Sequence, residues 1–148
     1  MANPTSVTGF GIVVTLIASK TFPVGLPITQ FADDADPIMI NDVKIADTAM
    51  GLNGDLLAWA KAVPLPMTIN VIPGSADDVN LQILANANRV GQGKSSANDV
   101  VSATIVYPDA SVIVLTGGIV TNAAFGRGVS SSGRQKTKSY SFLFSAQS

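Results

Sequence analysis

The ten acidic residues of this chain are all Asp, and Glu, His and Cys are absent. Those carboxylates are therefore the first place to look for chemistry. Asp33, Asp34, Asp36, Asp42, Asp47 and Asp55 fall in one irregular stretch, residues 33–55. Two carboxylates about 5–10 Å apart could act on a glycosidic bond, and a cluster of them could hold calcium. The spacing selects neither, because the D-x-[DN]-x-[DN]-G pattern with its distant acid is missing. Without His or Cys, a serine has no customary base, and thiolate or imidazole metal sites cannot form. Gly91-Gln92-Gly93-Lys94-Ser95 ends like a phosphate-binding loop. It lacks the upstream glycine and follows a helix rather than a strand, so phosphate binding is not expected. Gly126-Arg127-Gly128, with Arg134 and Lys136, could touch nucleic acid, but no aromatic residue interleaves that run. The sequence thus predicts no catalytic residue, no cofactor and no metal. Its charged loops read as contact loops.

The elements that must position these loops are mostly strands. Met67, Ile69 and Val71 alternate with Thr68 and Asn70, the period of a strand with one covered face. Pro73-Gly74 ends it, and Ser75 with Asp78 three residues on resembles a capping box. Asp77 and Asp78 also suit the positive end of a helix dipole. A helix is expected over about residues 76–90, with Val79, Ile83, Ala87 and Val90 as its inward stripe, Leu84 beside it, and Gln82, Asn86 and Arg89 opposite. Gly91 is its stop.

Before this unit, residues 1–8 form a polar arm. Residues 10–18 form a strand that is apolar on both faces and so should be covered on both. Ser19-Lys20 is a turn. Residues 21–31 hold Pro23, Gly25 and Pro27, as an edge strand would. Short strands are expected at residues 38–40 and 43–45, and a turn at Asn53-Gly54. Residues 56–63 fit either a short helix or a strand, with Trp59 expected in the core. After the helix, residues 101–107 and 111–116 pair as a hairpin around Pro108-Asp109-Ala110. Gly117-Gly118 is a bulge or bend. Residues 126–137 are a flexible basic loop, and Tyr140, Phe142, Phe144 and Ala146 share one face of a closing strand. The fold class is mainly β: a twisted β-sandwich or barrel in one domain, residues 1–148, with one helix on its flank.

Charged residues make up 13% of the chain, where soluble domains carry about 25%. Hydrophobic residues make up 47%, yet no run approaches the roughly 20 apolar residues that span a bilayer. The opening residues lack the basic region of a secretion signal. So apolar a surface is most simply covered by copies of the same chain. Residues 1–74 carry six Asp and three Lys, a net of −3; residues 100–148 carry one Asp and four Lys or Arg, a net of +3. Loops of opposite sign suit head-to-tail stacking, which need not close.

Several motifs together resemble the tail tube proteins of contractile-tailed bacteriophages, a fold shared with the secreted tube protein of type VI secretion. They are the strand-Pro-Gly-Ser-helix unit from Met67 to Val90, Val-Tyr-Pro-Asp-Ala at 106–110, Leu-Thr-Gly-Gly-Ile-Val at 115–120, and Lys-Ser-Tyr-Ser-Phe-Leu-Phe-Ser at 138–145. The resemblance covers roughly residues 7–147. It implies hexameric rings stacked head to tail into a tube inside a virion built in the bacterial host cytoplasm. Strands would line a common inner barrel, the helix would lie outside, and double-stranded DNA would pass without sequence-specific binding. Tail sheath, baseplate and tail terminator proteins would be partners, and no membrane would be involved. The arm and the 33–55 loop would clasp the next ring. The residues expected at inter-ring or inter-subunit contacts are Asp33, Asp34, Asp36, Asp42, Asp47, Arg127, Arg134 and Lys136. Two alternatives stand beside the tube. One is another virion β protein, of the baseplate or head. The other is a small carbohydrate-binding β-sandwich presenting Trp59, Tyr107 and Tyr140.

Overall fold

The computed structural model describes residues 11–33 and 36–147; the arm at residues 1–8 and Asp34 lie outside them. Ten strands and one helix follow in order: β1 (Val13–Ala18), β2 (Phe22–Ile28), β3 (Ile38–Met39), β4 (Ala46–Met50), β5 (Leu56–Ala60), β6 (Leu65–Val71), α1 (Ala76–Asn88), β7 (Val101–Val106), β8 (Val112–Ala123), β9 (Lys138–Phe144) and β10 (Ala146–Gln147). Eight of the strands form one antiparallel sheet, ordered β2-β1-β7-β8-β9-β6-β3, with β10 also on β8. The expected mainly β fold with one helix is what the chain adopts.

β8 makes this sheet curl. Its first half pairs with β7 and its second half with β9. The change of partner falls at Gly117-Gly118, where Gly117 takes φ +66° and a side chain on Gly118 would collide with the Phe144 ring. Beyond β2, Phe31 bridges to Val71 of β6, with the Ala32 amide donating to the Asn70 carbonyl at 3.0 Å. The two ends of the sheet thereby meet, which leaves a partly closed barrel with few free edges. Pro23 and Pro27 blunt the β2 edge that remains.

Inward-facing residues alternate as the period-2 pattern requires: Val14 and Leu16, Met67 and Ile69, Ala103 and Ile105, Phe142 and Phe144 are all buried. Leu81, Leu84 and Ala85 of α1 close one end of that core. The closing strand, residues 138–147, is interrupted once, where Ser145 lies against Gly117.

Of the two forms open to residues 56–63, residues 56–60 take the strand. Four local expectations are corrected. The second face of β1 is not covered, since Val13 and Thr15 are half-buried and Ile17 is exposed. Residues 43–45 form no strand, and Trp59 lies outside the core at 52% exposure. The helix is turned the other way: Asp77, Asp78, Leu81, Leu84 and Ala85 face the barrel, while Val79 and Ile83 are 47% and 49% exposed and Val90 is exposed too. Both stripes have helical period, so apolar spacing could not choose between them.

Candidate assembly surface

What turns α1 inward is its pair of aspartates. Ser75 caps the helix by accepting from the Asp78 amide at 3.2 Å. Asp78 reaches back to the Gly74 amide at 2.9 Å and also accepts from the Tyr140 hydroxyl at 2.8 Å. Lys138 comes within 3.2 Å of the same carboxylate and donates to the Gln82 side-chain oxygen, Oε1, at 3.1 Å. Asp77 takes the Thr29 and Gln30 amides, each at 2.8 Å. Asp99, also buried, accepts from the Lys20 amide at 2.7 Å and from Asn88 at 3.0 Å, which ties the β1–β2 turn to the helix C-terminus.

These carboxylates are therefore structural. Burial alone would raise Asp78, but the Gly74 amide, the Tyr140 hydroxyl and Lys138 together hold it below the usual carboxylate range. Asp99 is likewise held down, against burial, by Thr21, Asn88 and the Lys20 amide. Burial and then Asp78 push the Tyr140 phenol well above its ordinary value.

The opposite situation holds in the β4–β5 hairpin, a separate two-stranded sheet that makes no ladder with the barrel. Its loop forms for local reasons. The Gly51 amide donates to the Asp55 carbonyl at 2.7 Å, the Gly54 amide to the Gly51 carbonyl at 3.0 Å, and Gly54 takes φ +89°. At its base Asp47 lies between Lys44, at 2.8 Å, and Lys61, at 2.9 Å. Lys44 and then Lys61 hold the Asp47 carboxyl below its ordinary range. Above that clamp the hairpin is apolar and uncovered: Met50, Leu56 and Leu57 are exposed, and Leu52 at the tip is 103% exposed.

The expected contact residues are distributed as follows. Asp33 and Arg134 meet within the subunit through two contacts, at 2.5 and 3.2 Å, joining the two loops of opposite sign. Asp47 serves the hairpin base. The side chains of Asp36 and Asp42 are exposed, and the Asp36 carbonyl accepts from Asn70 at 2.6 Å. The exposed Arg127 lies over Gly74, and the exposed Lys136 runs beside Gly128. Loop 126–137 contains a small turn, with Val129 bridged to Gln135. Sequence reasoning passed over the apolar hairpin. Its signal was legible in Leu56-Leu57-Ala58-Trp59, apolar at both parities. Among the described residues no three acidic side chains converge as a cation site requires. Tyr140 is buried, so it cannot join Trp59 and Tyr107 in a sugar-binding groove.

Comparison with solved structures finds the same fold in contractile assemblies. The sheath/tube terminator of an extracellular contractile injection system, PVC, in its extended state matches with a TM-score of 0.59 at 8% identity, covering 99% of this chain and 98% of that one. The tube-terminating cap of the anti-feeding prophage matches at 0.56 and 10%, covering 100% and 93%. A chain of that particle's baseplate matches at 0.53 and 9%, covering 100% and 96%. At such identities the likeness is one of fold. Comparison with curated protein sequences finds no match. A family model described as "Tail fiber protein gp32" matches residues 5–148, nearly the whole chain, and the chain belongs to that family of tail proteins.

Proposed function

We propose that this tail protein is a tube subunit: it forms six-membered rings that stack head to tail around a channel for double-stranded DNA. The observation that carries the reading is the β4–β5 hairpin, which is apolar and uncovered in the single subunit. A two-stranded hairpin is marginal by itself in water and needs a surface to lie against. The exposed Val79 and Ile83 of α1, with Val90 just beyond its end, add to the apolar surface that neighbours would cover. Obligate interfaces commonly bury 2,000 Å² or more, and a chain this poor in charge suits contacts of that kind.

In this reading Asp36, Asp42, Arg127 and Lys136 are the side chains offered to adjacent rings. Asp33, Asp47 and Arg134 shape the loops that carry them. Asp34 and the arm at residues 1–8 belong to the same inter-ring contact. Sheath, baseplate and terminator proteins are the further partners, and the particle is a virion assembled in the bacterial cytoplasm. A second reading, a ring that ends a tube or joins it to a baseplate, is favoured by the terminator, cap and baseplate folds it resembles.

Negative-stain microscopy of the purified chain separates the two. Hollow rods that lengthen with concentration are expected of a tube subunit, and rings that never grow of a terminal one. A monomer at every concentration would refute both.

A further inference from the structure

The polar residues of α1 do not simply face water. Gln82, Asn86 and Arg89 lie along two adjoining hollows, and Phe125, just past β8, lines both with Arg89. The smaller hollow, about 150 Å³, reaches between the second half of α1 and the end of β8. Its apolar wall is Ala85, which is buried, with Val120 and Ala123, which pack on the core. The larger hollow, about 350 Å³, runs beside Gln82 and Asn86. Between Val120 and Asn122 the pairing of β8 with β9 slips by one residue, so Thr121 is the extra residue of a bulge. Bulges are common beside functional sites, where they re-aim a side chain.

Most polar groups of the smaller hollow are already spent within the subunit. Asn88 donates to the Leu84 carbonyl at 2.9 Å and to Asp99 at 3.0 Å, and the Thr121 hydroxyl to the Ser141 carbonyl at 3.2 Å. Arg89 differs. Among the residues lining the two hollows it alone is ionisable, and among the described residues no carboxylate pairs with it. Its guanidinium carbon stands 5.6 Å from the centre of the Phe125 ring. That stack holds a long side chain in one place, so less freedom is lost when it binds an anion.

A single fixed guanidinium suits a carboxylate, which it can grip with two parallel hydrogen bonds. Nucleic acid would call for several cations along its backbone. An acidic side chain ends at its carboxylate and has nothing to place in the apolar hollow beyond. The last residue of a chain carries carboxylate and side chain on one carbon, so one can meet Arg89 while the other enters the hollow. We propose that this cleft captures the C-terminus of a partner protein that ends in an aliphatic residue, with the preceding residues lying in the larger hollow beside Asn86. The proposal does not depend on the tube reading.

The test is fluorescence anisotropy of a labelled peptide, Ser-Gly-Ser-Ala-Val-Leu, titrated with the dilute full-length chain. The free acid should bind saturably. Its C-terminal amide should bind at least about 10-fold more weakly, and Arg89→Gln should weaken the free acid by a similar factor, as loss of a charge-assisted hydrogen bond does. Arg89→Lys should restore little, because it keeps the charge and loses the fork. Phe125→Leu should weaken binding by a smaller factor. Thermal melts should be unchanged in all three variants. If the free acid does not bind, or if amide or Arg89→Gln binds equally well, the proposal is wrong. It is also wrong if an amidated peptide with an internal Glu binds as tightly as the free acid, since the cleft would then read acidic side chains. Each of these results leaves the tube reading standing, and a chain that forms no rods leaves the cleft standing.

Discussion

The seam between α1 and β9 and the β4–β5 hairpin invert the usual arrangement of a protein in opposite ways. At the seam, charge is inside: Asp78 is 1% exposed and Lys138 2% exposed, and each finds partners. At the hairpin, grease is outside and the charges stand in water. The barrel core already exists, and the buried ions fix how the helix seats on it; an ion pair of this kind confers registry more than net stability. Exposed apolar strands add nothing to an isolated subunit and much to an assembly. Subunit stability and assembly should therefore respond to different residues.

The sharpest way to break this contrast is Asp78→Ala. It leaves Lys138 buried without its carboxylate, which typically costs about 3–5 kcal/mol. At about 2–4 °C per kcal/mol, a thermal melt should fall by about 10 °C. Replacing both residues, as Asp78→Leu with Lys138→Met, should recover much of that loss; if it recovers none, the seam contributes more than pairing. Next in size is Gly118→Ala, which forces a methyl against the Phe144 ring at the bend of β8. Over-packing of this sort costs about 1–3 kcal/mol, and denaturant unfolding would read it.

The pH dependence is smaller and has two limbs. Asp78 and Asp99 are held below their unfolded values. Their stabilisation is present above about pH 4 and is lost as pH falls through the lowered folded values. Tyr140 is raised, so its contribution is present below about pH 10 and is lost as pH climbs above that toward the folded value. Melting temperature should be flat near neutrality and fall at both ends. Asp47, although also lowered, lies in an exposed pair that contributes little. The smallest effect sharpens the comparison from the other side: Ile83→Asp, on the outer stripe of α1, should leave subunit stability within about 0.5 kcal/mol. An unfolded variant would mean that the stripe is packed within the subunit.

Much of the barrel was legible in the sequence. Met67, Ile69 and Val71, and Tyr140, Phe142 and Phe144, face the core as their alternation requires. Ser75, Gly117 and Gly54 mark a helix start, a bend and a turn by their own backbone chemistry. Two of the errors share one cause. Apolar residues were assumed to face the interior of their own subunit, which put Ile83 and Trp59 inside. Asp77 and Asp78 were legible as residues of the helix start, but their burial, and that of Lys138, was not. Local pattern fails where partners come from far along the chain. Asp78 takes Tyr140 and Lys138 from β9, whereas Trp59 has no neighbour to cover it.

Local order in this protein, meaning strand phase, turn and cap, was set by its sequence alone, because those features depend on neighbours a few bonds away. Which of two apolar stripes on α1 turned inward was not. That choice belonged to hydrogen bonds from Thr29, Gln30 and Tyr140, residues that only the folded barrel brings to the helix. Tertiary structure likewise decided that the hairpin stands apart from the barrel: no period in a sequence records whether an apolar face will find its cover within the same subunit.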